Sequence, residues 1–134
     1  MKDSARVLVD TSAWIDYFRK REPCYSLVSA LMASGRICCI GIVLAELIQG
    51  AKSDREVDVL KDFVQVFDFL PEDPLVWQMA GELSFSLRRR GLTVGLSDCL
   101  IAVQAMRSEA ELLSLDGHFQ QISEHSGLKL FRQD

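Results

Sequence analysis

The sequence predicts an α/β fold, a parallel sheet with helices on both faces. Short apolar runs alternate with amphipathic helical stretches along the whole chain, and no hairpin signal joins any two of the runs. In addition, three aspartates (Asp10, Asp98 and Asp116) stand where an apolar segment meets a helix.

The first run, Val7-Leu8-Val9, reads as a buried strand. Asp10 ends it, and Thr11 and Ser12 follow as N-cap candidates for a helix. Asp10 is therefore expected at the carboxyl end of a strand, where open α/β sheets bind their ligands. Trp14, Ile15 and Phe18 fall on one face of the helix over 11–20, and Arg19-Lys20-Arg21 follows. Pro23 ends this helix or starts the next. Residues 24–34 read as a second amphipathic helix, closed by Gly35.

Arg36 to Ile40 reads as a strand holding Cys38 and Cys39, and Gly41 breaks it. A helix is expected from Ile42 to Gly50, with Glu46 inside it among apolar neighbours. Residues 54–66 make a further helix, and 66–70 a strand stopped by Pro71. The longest helical pattern covers 74–90, with Pro74 in its first turn and Arg88-Arg89-Arg90 at its end. After a connector over 92–96, Ser97 is expected to cap a helix running from Asp98 to about Ser108. Glu111 to Leu115 then leads as a strand into Asp116, residues 117–123 form a short helix, and 128–131 a last strand. Arg132 to Asp134 are expected to be loose.

A chain of 134 residues, 49% apolar and 25% charged, suits one domain spanning 1–134. No apolar run reaches the ~18 residues of a membrane span. The apolar stretch after Lys2 and Arg6 stops at Asp10, too short for a signal-peptide core, so a cytoplasmic protein is expected. The four cysteines (Cys24, Cys38, Cys39 and Cys99) have no C-x-x-C spacing and read as free, mostly buried thiols. His118 and His125 are not placed with them, which argues against zinc.

The net charge of −4 counts against a broad basic nucleic-acid face. Bound metal changes that sum: one divalent ion brings −4 to −2, and two bring it to zero. Asp10, Asp98 and Asp116 can all lie at the carboxyl edge of one sheet, and Glu46 lies about a helical turn beyond Gly41 at the same edge. Four such carboxylates suit one or two Mg²⁺-like ions, some acting through water. Without a cation they repel one another in a partly desolvated cleft. Each acid also has an ordinary explanation: a turn residue at Asp10, a helix-dipole partner at Asp98, a turn pair at Asp116-Gly117, and at Glu46 a place on a solvent stripe or a pairing with another group.

Four stretches carry a resemblance: Val7 to Asp16, Val43 to Gly50, Gly91 to Ala102 and Leu112 to Phe119. In this order and spacing the chain resembles the PIN domain, and most closely the VapC-type ribonuclease toxins of bacterial toxin–antitoxin pairs. The resemblance implies a sheet of about five parallel strands and Mg²⁺- or Mn²⁺-dependent RNA cleavage. It carries metal-binding and catalytic roles onto Asp10, Glu46, Asp98 and Asp116, with Thr11 or Ser12 orienting the site through a hydroxyl. It further implies a homodimer and a small antitoxin partner that blocks the site.

The chain departs from the family pattern at the fourth stretch, which often has Thr two residues before the aspartate and a second acid two residues after it. Here Ser114 and His118 stand instead. Ser114 keeps a hydroxyl. His118 supplies no anionic group when neutral, which leaves it a contact to phosphate or water, or a plain surface position in a short helix.

A metal-activated water would leave 3′-hydroxyl and 5′-phosphate ends. The run Arg88-Arg89-Arg90 is a candidate grip on RNA phosphates, or a solvated helix end favoured by the dipole, and Arg19-Lys20-Arg21 has the same two readings. The apolar face around Trp14, Phe18, Leu27 and Leu31 serves the core, a dimer or an antitoxin groove. Two other classes stay in view. A catalytically silent PIN-like binding module would keep the fold. A phospho-acceptor signalling domain would want an adjacent acid pair early in the chain, but Asp10 stands alone. A dinucleotide site would want glycines after the first strand, and Asp10-Thr11-Ser12 has none.

Overall fold

β1 (Val7–Val9) is buried along its whole length because it lies inside the sheet with neighbours on both sides. A computed structural model describes residues 5–132. Lys2 and the end of the expected loose tail, Gln133-Asp134, lie outside the described residues. After β1 come α1 (Thr11–Phe18), α2 (Cys24–Ala33), β2 (Ile37–Cys39), α3 (Gly41–Gln49), α4 (Asp54–Lys61) and α5 (Phe63–Val66). Then follow β3 (Asp68–Phe69), α6 (Pro74–Arg89), α7 (Leu96–Arg107), β4 (Glu111–Leu113) and α8 (His118–Glu124).

The four strands are parallel and stand in the order β3-β2-β1-β4. A parallel bridge between Leu112 and Leu130 adds a fifth chain position beside β4, where the sequence predicts its last strand. In register, Leu8 faces Cys38 on one side and Leu112 on the other, and Val9 faces Leu113.

The order fixes the layers. The chain moves one way from β1 to β2 to β3, then returns past β1 to reach β4. Right-handed crossovers put the connections of these two directions on opposite faces. The packing agrees: α1 meets α2 and α3, and α3 meets α4, while α6 meets α7 and α7 meets α8, with α3 and α7 touching between the two groups. The direction of travel reverses between β1 and β4, and the crevice at their carboxyl ends is the topological switch point.

α7 is the most enclosed helix. Seven successive residues, Cys99 to Ala105, are buried, so no face of that stretch is left to solvent. The core also holds Trp14, Phe119, Leu8, Ile40, Leu87, Leu100 and Ile122, each sealed from solvent. A side chain of this kind contributes about 1.5–3 kcal/mol on burial. All four cysteines are buried and free, as their spacing predicts. Among the described residues no helix is long and apolar enough to cross a membrane.

Some boundaries differ from expectation. The helix predicted over 54–66 is divided at Asp62, whose amide turns back to the Val59 carbonyl at 3.2 Å. Val66 belongs to the second piece, so the following strand shortens to Asp68–Phe69. α7 begins at Leu96 and not at Asp98: Gly95 takes the cap position in extended conformation, and the Cys99 amide bonds its carbonyl at 3.1 Å. Ser97 therefore lies in the first turn and is not the cap.

Candidate metal centre at the carboxyl edge

Asp10 stands at the switch point, 4% exposed, and its own carboxylate caps α1. Oδ1 accepts from the Ala13 amide at 3.1 Å and from the Ser12 hydroxyl at 2.7 Å. The hydroxyls of Thr11 and Ser12, read from sequence as cap candidates, sit inside the first turn and are free for other partners. Oδ2 accepts from the Ser114 hydroxyl at 2.6 Å.

Strand pairing explains the Ser114 contact. Val9 and Leu113 are register partners, and the Asp10 amide donates to the Leu113 carbonyl at 3.0 Å. The next residue on each strand is then Asp10 and Ser114. The Ser114 hydroxyl also accepts from the Asp116 amide at 3.0 Å, and Ser12 Oγ accepts from the Leu115 amide at 3.0 Å. Two serines thus lock the loop after β4 onto the end of β1.

Thr11 points to the neighbouring helix. Its Oγ1 donates to Glu46 Oε1 at 2.6 Å. Glu46 is half-buried on α3, and α3 also contacts α7, the helix that carries Asp98 in its first turn.

Asp98 is half-buried and Asp116 exposed. His118 joins them: its Nδ1 lies 3.3 Å from Asp98 Oδ2 and 3.4 Å from Asp116 Oδ1. The His118 amide also donates to Asp116 Oδ1 at 2.9 Å. One ligand atom from each of Asp98, Asp116 and His118 lies within 4.8 Å of the other two. Asp10 and Glu46 are not in that close set; they flank it.

Electrostatics link all four acids. Burial pushes the Asp10 carboxyl above its usual range, against the pull of hydrogen bonds from Ser114, Ser12 and Ala13, and the Asp116 charge adds to the rise. Asp98 is also raised, first by burial and then by Asp116, with His118 opposing and Glu46 adding. Repulsion of this kind is what a bound cation relieves. The donor set fits a divalent ion: carboxylate oxygens with one imidazole, open to solvent on the Asp116 side. Asp10 has capacity too, because Oδ2 accepts one bond and a carboxylate oxygen offers about two lone pairs.

The arginine run lies at the end of α6. Arg88 is exposed, Arg89 lies over the Phe85 ring at 5.6 Å, and Arg90 Nη1 is 3.1 Å from His125 Nδ1. A groove of about 510 Å³ adjoins the site, lined by Ile15, Phe18, Glu46, Leu47 and Val59 among others. Trp14 and Leu31, from the apolar face read in the sequence, are core residues, whereas Phe18 is exposed in the groove.

Sequence reasoning did not connect Ser114 with Asp10, nor His118 with Asp98. The signal existed only in part: Ser114 and His118 occupy positions where Thr and an acid are usual, but the contacts depend on β1 lying next to β4.

The family model described as the PIN domain matches residues 7–125 of this chain. A VapC ribonuclease of Mycobacterium bovis is 30% identical over 128 residues, covering 92% of this chain and 96% of that protein. Among solved structures, a DNA-bound VapBC from Salmonella typhimurium is 26% identical with a TM-score of 0.71, covering 95% of this chain and 97% of that one. VapBC2 from Rickettsia felis, bound to a DNA fragment from its promoter, has a TM-score of 0.75 at 24% identity, covering 96% and 98%.

Proposed function

The chain belongs to the PIN-domain family, and from that premise we propose that it is a divalent-metal-dependent endoribonuclease, the toxin of a toxin–antitoxin pair. One observation carries the reading: four acids from four separate segments meet electrostatically at the sheet's switch point, with three ligand atoms close enough to share an ion. We take residues 1–134 as one such domain, acting in the cytoplasm.

Asp98, Asp116 and Asp10 would hold the ion, with Glu46 in the same field. Mg²⁺ or Mn²⁺ bound there would supply positive charge at the scissile phosphate and an acidified water. The remaining work belongs to the chain. Ser12 and Ser114 fix both oxygens of Asp10, so its carboxylate is oriented before substrate arrives. Thr11 holds Glu46 toward the same crevice. In the hydrolysis the water oxygen bonds to phosphorus, the 3′ oxygen leaves and takes a proton, and the phosphate stays on the 5′ end. Arg88, exposed and without a side-chain contact among the described residues, is the member of the arginine run that would meet RNA phosphates, whereas Arg89 and Arg90 contact Phe85 and His125.

The groove beside Glu46 suits an antitoxin segment: a peptide seated on Ile15, Phe18 and Val59 would cover the entrance to the site. We also expect a homodimer, for which exposed Trp77 and Phe85 on α6 offer apolar contact.

The deciding experiment incubates the purified chain with RNA and Mg²⁺ or Mn²⁺, beside Asp10→Asn, Asp98→Asn and an EDTA control. Cleavage by the wild type alone, giving 3′-hydroxyl and 5′-phosphate ends, is expected. Absence of cleavage, or equal cleavage by the variants, leaves the silent binding module as the better reading.

A further inference from the structure

We propose that His118 is itself a metal ligand. Its Nδ1 joins one oxygen each of Asp98 and Asp116 in a nitrogen–oxygen set that takes manganese in preference to magnesium. The proposal deepens the metal-dependent reading above and rests on it.

The geometry points one way. The imidazole Nδ1 lies 3.3 Å and 3.4 Å from an oxygen of Asp98 and of Asp116, and one ligand atom from each of the three residues lies within 4.8 Å of the other two. Adjacent ligand atoms of an octahedral ion with bonds of about 2.1 Å stand about 3 Å apart, so the two nitrogen–oxygen distances are already close to that spacing. The backbone that carries the ring is also held in position. The His118 amide is bonded to Asp116, and the next residue, Phe119, is anchored in the core at 1% exposure. The imidazole remains about half exposed, open to an ion arriving from solvent.

The donor type then sets the preference. Magnesium takes oxygen ligands and keeps several waters. Imidazole nitrogen suits first-row transition ions. A ring that binds through Nδ1 is neutral and carries its proton on Nε2.

A different role fits the same distances: an imidazolium that neutralises the two acids by ion pairing. The two roles give opposite signs. Removing a cation from an acidic cluster tightens every divalent ion. Removing a ligand weakens binding, and weakens the transition ion most.

The test is calorimetric titration of the metal-free chain with manganese chloride and magnesium chloride, comparing wild type, His118→Ala and His118→Asp. Pulsed electron paramagnetic resonance on the manganese-loaded wild type looks for ¹⁴N coupling from a directly bound ring and needs no variant. The expected results are nitrogen coupling in the wild type, about tenfold weaker manganese binding in His118→Ala, and magnesium binding changed by less than about twofold. His118→Asp should bind magnesium better than the wild type does and lose the manganese preference. No nitrogen coupling, or ions bound by His118→Ala as tightly as by the wild type or more so, overturns the proposal. A wild type that binds neither ion overturns the metal site as a whole, and this proposal with it. A wild type that binds manganese and cleaves RNA without nitrogen coupling overturns only the role of His118.

Discussion

Thr11 and Glu46 are joined by a 2.6 Å hydrogen bond across thirty-five residues of chain, Oγ1 to Oε1. The bond ties the first turn of α1 to the middle of α3, and so ties the end of β1 to the helix that follows β2. Thr11→Val keeps the shape and removes the donor. It should lower single-turnover RNA cleavage about tenfold, equivalent to about 1.4 kcal/mol, while Thr11→Ser stays near wild type. Equal rates for wild type and Thr11→Val would mean that the bond does not orient Glu46 for the reaction.

Ser114 bridges two acids, donating to Asp10 Oδ2 and accepting from the Asp116 amide. Its hydroxyl is the largest influence pulling the buried Asp10 back toward its ordinary range. Ser114→Ala should therefore raise Asp10 further and move the acidic limb of the pH–rate profile to higher pH. Ser114→Thr, which keeps the hydroxyl, should leave the limb unmoved.

The legible part of this molecule was local. Val7-Leu8-Val9 followed by Asp10 marks a buried strand and its carboxyl end without help from the rest of the chain. The divided helix at Asp62 and the cap at Gly95 were not legible, because a turn's backbone geometry decided each and an apolar or hydroxyl residue nearby gave a competing signal. Strand order was beyond reach of the residues themselves. Three-residue strands carry too little pattern to state that β4 lies against β1, and without that neighbour relation Asp10 and Ser114 are simply 104 residues apart. The same gap hid the ring of His118 between Asp98 and Asp116.

Without metal, stability should depend on pH in an unusual direction. Asp10 and Asp98 both have carboxyls raised above the ordinary aspartate value of 3.8, with burial the first cause. The folded state therefore binds more protons than the unfolded chain in the window just above 3.8. The protonated groups contribute stability that is fully present below that value and is lost as pH rises through the folded values. Thermal melts in EDTA should show the melting temperature rising as pH is lowered from neutral into this window. Saturating Mn²⁺ should raise the neutral-pH value and flatten the slope. Superimposable profiles with and without metal would contradict an ion at these carboxylates.

Phe119 is 1% exposed and holds the start of α8 against the core. Phe119→Ala should cost about 3–5 kcal/mol in urea unfolding. It should also disturb the loop that carries Asp116 and His118, so its loss of cleavage should exceed what the unfolded fraction explains.

The thiols should be silent. Burial pushes Cys38 up to about 11 and Cys39 up to about 12, and Cys24 and Cys99 are raised as well. At pH 8 an aromatic disulfide reagent should leave the native chain unlabelled over minutes and react with four thiols in denaturant. Rapid labelling of Cys38 or Cys39 in the native chain would mean that β2 opens far more readily than its position inside the sheet suggests.

The strand order has a consequence for how the protein is made. β1 is synthesised before β4, and β4 is the neighbour that completes its carboxyl edge. Until β4 docks, Asp10 has no Ser114, and neither Asp116 nor His118 exists beside Asp98. A chain that lacks β4 and the loop after it lacks Ser114, Asp116 and His118 together. The candidate centre is therefore complete only once the segment from β4 to His118 has folded against the end of β1.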